Sequence, residues 1–168
     1  SGVCPDMIRG VKGLALVAIL TVLAGCGTLR MKEQRTSQGP MAEDLFVTMV
    51  YIANGREPNF DERRHWDNQL DLRISQYLHT HPEAASATDV STFRFLKQAS
   101  VGQTNEQVLI LLGPPLARTT DEAEMEKLAR RYWPYIKGNA TEAWVYPDGW
   151  NLYFKDSTLV DITQYLVP

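Results

Sequence analysis

The chain has 168 residues, of which 44% are hydrophobic and 22% charged, with 17 Lys and Arg against 20 Asp and Glu. That balance is one of a foldable domain rather than a disordered tail. A formal charge of −3 argues against a basic nucleic-acid binder, because phosphate neutralisation supplies most of that affinity.

The totals conceal an uneven start. Arg9 and Lys12 follow Met7, and residues 13–25 then run Gly-Leu-Ala-Leu-Val-Ala-Ile-Leu-Thr-Val-Leu-Ala-Gly without a charge. A positive region, a short apolar run and small residues make the layout of a secretory signal. The apolar core from Leu14 to Ala24 would rise only about 16 Å as a helix, roughly half of a ~30 Å hydrocarbon layer, so a cleaved leader is expected rather than a span. Residues 1–6 then read as an upstream extension. Leu23-Ala24-Gly25-Cys26 resembles the lipobox of bacterial lipoproteins, which implies cleavage before Cys26, acylation of that residue and anchoring without a transmembrane helix. Gly27, standing where an Asp commonly retains lipoproteins in the inner membrane, implies the outer membrane and a periplasm-facing domain.

Removing residues 1–25 takes Asp6, Arg9 and Lys12 and leaves 143 residues at a net charge of −4. Cys4 lies in the upstream extension and Cys26 is expected to carry lipid. No thiol then remains for a disulfide, a metal or a nucleophile.

Residues 26–40 are polar and basic and are expected to form a lipidated tether, with Arg30, Lys32 and Arg35 near anionic headgroups. A helical extension is expected over 41–98. Its first helix, Met41 to Ala53, carries Leu45, Met49 and Ile52 at i, i+4, i+7 and stops at Asn54-Gly55. Its second opens on Asn59 with Glu62 at the capping-box position and shows the stripe Trp66, Leu70, Ile74, Tyr77, Leu78 before His81-Pro82. These helices are expected to bury each other or cover a sheet. A short helix from Asp89 follows, with Val90, Phe93 and Leu96 as its apolar positions.

The strongest internal signal lies in residues 99–168. Thr104 caps a helix with Gln107 as its box partner, Gly113 ends it in a left-handed conformation, and Pro114 forbids continuation. A short strand is expected over 116–120. A helix from Asp121 to Tyr132 follows, with Met125 and Leu128 on its apolar face and Pro134 as terminator. The period then changes to two: residues 143–146, 151–154 and 158–162 read as strands joined by Pro147-Asp148-Gly149 and Lys155-Asp156-Ser157. Helices followed by a helix and a small antiparallel three-stranded sheet make the class α+β.

This order, carried by Gly102, Thr104, Val108, Leu112, Gly113, Pro115, Trp144, Tyr146, Leu152, Phe154 and Val160, resembles the BamE/SmpA family of outer-membrane lipoproteins over about 102–160. Segments 41–98 and 116–142 have no counterpart in it. The resemblance implies a two-helix, three-stranded domain and a non-enzymatic role in outer-membrane protein assembly or envelope integrity, with the barrel-assembly machinery as a partner. The same fold also resembles secreted enzyme-inhibitor repeats, so a periplasmic inhibitor or a purely structural lipoprotein is the alternative.

No catalytic motif stands out. His79 and His81 at i, i+2 fall on different sides of a helix, and neither they nor His65 have a third ligand at zinc-like spacing, so no metal or other cofactor is expected. Asp121, Glu122, Glu124 and Glu126 suit a helix start. Aromatics crowd into residues 133–154 instead. Trp144, Tyr146, Trp150 and Tyr153 are the candidate partner-binding residues, since Trp and Tyr are frequent interface anchors. Gly102, Thr104, Gly113 and Pro114 are the candidate structural motif.

Overall fold

The computed structural model describes residues 32–167. The leader, Cys26 and the first part of the expected tether lie outside the described residues. Residues 32–167 lie in one compact unit.

The class is α+β, but the sheet has five antiparallel strands rather than three. Strand β5 (Glu142–Val145), β6 (Trp150–Lys155) and β7 (Thr158–Leu166) are the expected meander. Asp156 and Ser157, both at positive φ, make the two-residue turn whose twist matches antiparallel strands. Two further strands close its sides. β4 (Ala117–Thr119) pairs with β5. β1 (Lys32–Thr36) pairs with β7 from Lys32↔Leu166 to Thr36↔Ile162. The expected tether is thereby corrected: its second half is sheet, continued by β2 (Gln38–Met41), which pairs with β3 (Gln98–Ser100). Polar side chains hold β1, with Gln34 donating to Gln164 at 2.7 Å and Arg35 bound to Asp161.

Both sheet faces are covered. Trp144, Leu152 and Ile162 lie across from one another in register, and with Leu45, Val108 and Phe154 they form one buried cluster. The helices above this face are α1 (Ala42–Asn54), α2 (Phe60–Thr80), the short α3 (Pro82–Ala85) and α4 (Asn105–Leu112). α2 buries Leu70, Ile74, Tyr77 and Leu78 with Phe93 and Leu111. The opposite face presents Ala143 and Tyr153 to α5 (Glu122–Ala129) and α6 (Trp133–Ile136), through Met125, Ala129, Trp133 and Ile136.

Local chemistry explains where these helices start and stop. The capping boxes Asn59/Glu62 and Thr104/Gln107 both form, each side chain binding the other residue's backbone amide. Gly55 closes α1 in the left-handed region. Gly113 has a positive φ of 72° but ψ of −169°, which is not the expected left-handed cap but an extended conformation almost confined to glycine. The helix expected to run to Tyr132 ends at Ala129. Arg130 turns it at φ 53°, and Pro134 sits in the first turn of α6 rather than terminating anything. The segment after Asp89 ends in a π-helical turn, Thr92–Leu96.

Candidate functional site

Helix α1 is where composition and environment disagree most. Its only charges are Glu43 and Asp44 in the first turn, and positions 45–53 read Leu-Phe-Val-Thr-Met-Val-Tyr-Ile-Ala. A helix apolar all round is ordinarily buried all round. Here only Ala42 and Leu45 are buried, while Met49, Tyr51 and Ile52 are 42, 57 and 65% exposed. The expected stripe Leu45, Met49, Ile52 therefore reaches the core through Leu45 alone. The cause is orientation. α1 meets α2 by stacking Phe46 on Trp66, with ring centroids 4.6 Å apart and planes 8° from parallel, and Thr48 donates to Asp148 at 2.9 Å beside the β5–β6 turn. These contacts come from residues 42–48 and leave the end of the helix beyond them outside.

Beside α1 a groove of about 380 Å³ opens between α1, α2 and α4. Phe46 and Met49 form one wall, Trp66 the second, and Ile110 and Leu112 the third; among the described residues Arg73 is the one charged residue lining it. α4 supplies its wall through Leu109, Ile110 and Leu112, which stay half-buried where Val108 and Leu111 are buried. Such a groove, walled by apolar side chains with Arg73 among them and with polar atoms also exposed in it, suits a segment of another protein better than a small metabolite.

The expected partner-binding aromatics lie elsewhere and inside. Trp144, Tyr146 and Tyr153 are buried, and Trp150 is half-buried against the same cluster as Trp144. Two covered faces put these candidate partner-binding residues inside rather than at an exposed surface, which corrects that expectation. Alternation turns Trp144 and Tyr146 under the first helical layer, and Tyr153 points to the other side, where α5 and α6 cover it. Their polar tips are satisfied. The Trp144 indole donates to Glu142 at 2.7 Å, the Tyr146 hydroxyl donates to the Gly113 carbonyl at 2.8 Å, and the hydroxyls of Tyr153 and Thr163 bond at 2.9 Å. Burial pushes both phenols well above the ordinary tyrosine range.

The four motif residues form one joint with the sheet. Gly102, at φ 101°, donates its amide to the Leu159 carbonyl, Thr104 bridges to Thr158, and Gly113 and Pro114 end α4 over Tyr146. They position the groove without lining its open side, apart from Gly113.

Charged groups are held in structural pairs. Asp161, buried in β7, receives the Arg35 guanidinium at 2.8 to 3.1 Å and the Ile162 amide at 2.9 Å. Lys97 lies 2.9 Å from Asp71 and also reaches Asp67. His81 stacks on Tyr77 at 4.0 Å, and among the described residues no three His, Cys, Asp or Glu side chains gather as metal ligands. Nor, among them, is any helix long and apolar enough to cross a membrane.

The signal for α1 was present in the sequence as eleven consecutive uncharged positions, 45–55. Counting a single i, i+4, i+7 stripe hid it, because the stripe assigned to the core the residues that the structure leaves outside. No protein-family model matches the chain, and no curated protein or solved structure matches it.

Proposed function

We propose that this chain is a lipid-anchored bacterial outer-membrane protein whose α+β domain is a non-catalytic binding scaffold in outer-membrane protein assembly or envelope integrity, engaging an envelope protein in the groove between α1, α2 and α4. The observation that carries the binding role is the half-exposed, uncharged stretch of helix α1 from Leu45 onward beside that groove. Exposed apolar surface in a folded domain is ordinarily an interaction surface. The lipobox ending at Cys26 supports the anchor. The capped helix α4 and the β5–β7 meander that follows it in the chain support the BamE/SmpA-like reading. Pairing of the charged groups with one another favours binding over acid–base chemistry.

Three measurements test the reading. A photo-crosslinking residue replacing Ile110 should capture one envelope protein in intact cells. Radioactive fatty acid should label the protein, and Cys26→Ser should abolish the label. Deletion should lower outer-membrane protein levels. Wild-type protein without label overturns the anchor; no captured protein together with unchanged outer-membrane protein levels overturns the scaffold.

A further inference from the structure

Tyr51, Ile52, Phe60, Leu116 and Val167, five of the twelve large apolar side chains exposed among the described residues, gather at one end of the sheet, and it is the end where the chain arrives from Cys26. β1 begins at Lys32 opposite Leu166, the last residue of β7. The Pro147-Asp148-Gly149 turn lies beside them, with the Tyr165 amide donating to the Gly149 carbonyl and the Gln164 side chain donating to the Asp148 carbonyl.

α1 runs toward this end. It leaves β2, where Gly39 lies against Ile162 in the middle of β7, and by Thr48 it is level with Asp148. The turns carrying Tyr51 and Ile52 continue past that point. α2 runs the opposite way, because its Tyr77 hydroxyl lies 3.4 Å from that of Thr104, which bridges to Thr158 at the far end of β7. Between Phe60 and Tyr77 a helix rises about 25 Å at ~1.5 Å per residue, close to the length of β7 at ~3.3 Å per residue. Phe60, 74% exposed, therefore stands at the Lys32 end with Tyr51 and Ile52. Leu116, whose amide binds Val145 beside the turn, and Val167 complete the patch, both exposed.

We propose that this end of the domain rests on a phospholipid bilayer, with Tyr51, Ile52 and Phe60 in the boundary between headgroups and acyl chains. The inference deepens the anchored reading and rests on it. Only residues 27–31 separate Cys26 from Lys32, and a fully extended chain of that length spans no more than about 20 Å. A lipid on Cys26 thus tethers this end, and not the Thr158 end, close to the lipid surface. Tyrosine and phenylalanine beside aliphatic side chains are the chemistry of interfacial contact. Among the described side chains here, Arg56 pairs with Glu62, Arg63 with Glu43 and Glu57, and Arg64 with Asp61. The proposed contact is made by the apolar side chains, so it is expected on zwitterionic lipid.

The test is photo-crosslinking of the intact full-length protein, reconstituted into phosphatidylcholine vesicles that contain phosphatidylcholine bearing an acyl-chain diazirine. Mass spectrometry then maps the modified peptides. Lipid adducts should fall on residues 47–64 at least fivefold more often than on 100–110 and 155–159, and Tyr51→Glu with Ile52→Glu should lower them several-fold without changing the far-ultraviolet circular dichroism. Adducts spread evenly overturn the proposal. So does their absence from 47–64, the result if a protein covers this face. The same spectra read the acyl mass at Cys26. Its absence overturns the anchor, while the distribution of adducts still decides the bilayer contact by itself.

Discussion

Tyr146 donates its hydroxyl to the carbonyl of Gly113, 33 residues earlier, at 2.8 Å. The bond joins the end of β5 to the end of α4, and it satisfies a carbonyl that the terminating helix leaves without an intrahelical partner. Tyr146 is thus a structural joint under the groove.

Tyr146→Phe should destabilise the domain by about 1 to 2 kcal/mol, the cost of a lost hydrogen bond plus a carbonyl left unpaired. Urea unfolding followed by circular dichroism measures it. A change below about 0.3 kcal/mol would show that water replaces the bond without loss.

Alkaline pH should unfold the protein. Tyr146 and Tyr153 ionise in the unfolded chain near pH ~10, whereas burial raises both in the folded state. The unfolded state therefore binds fewer protons above that pH, so stability is full below it and declines as pH rises. Absorbance at 295 nm should show two of the seven tyrosines ionising together with the loss of secondary structure. Their ionisation in a still-folded protein would contradict this.

At the start of α2 the sign reverses. Arg56 binds the Glu62 carboxylate at 2.8 Å through both terminal nitrogens, and the Asn59 amide adds a third bond, holding this carboxyl down at about 2. Its contribution to stability is complete above the ordinary glutamate range and is lost as pH falls toward 2. Arg56→Ala should move Glu62 upward toward the ordinary value, leaving part of the depression from Asn59. Carboxyl chemical shifts across an acid titration read both quantities, and an unmoved midpoint would remove Arg56 as the cause.

Gly149 carries a φ of 73°, and a Cβ there would fall inside the backbone carbonyl of Tyr165. Gly149→Ala should cost at least about 3 kcal/mol, since positive φ and a backbone clash add. Thermal unfolding should show a fall of more than about 8 °C; a smaller one would mean that the turn relaxes away from β7.

Arg35→Met should weaken the attachment of β1. It leaves the buried Asp161 carboxylate with the Ile162 amide but without its cation. Because Arg35 itself is partly exposed, about 1 to 2 kcal/mol is expected rather than the full loss of a buried pair. Hydrogen exchange at residues 32–36 should accelerate before that of β6, and unchanged protection would place the hold on β1 elsewhere.

Much of this architecture is local and was therefore readable. Asn59 and Glu62, Thr104 and Gln107, and Gly55 act on backbone groups within a few residues, so the ends of α1, α2 and α4 follow from short patterns. The same holds for the meander, whose alternation and turn residues are contiguous. The candidate site was less legible. A run such as Lys-Glu-Gln-Arg-Thr carries no apolar face, and its identity as β1 comes from hydrogen bonds to β7, about 130 residues away.

The sequence by itself determined the helix caps, the turns and the meander, because each rests on interactions that neighbouring residues complete between themselves. Only the tertiary structure decided which apolar surfaces are left over. Trp144, Tyr146 and Tyr153 became core because helices cover both faces of their sheet, while Met49, Tyr51 and Ile52, equally apolar, stay exposed because α1 packs on the sheet and α2 through its first turns and its end continues past them. Burial depends on what the rest of the chain brings alongside a residue, and no local pattern contains that information.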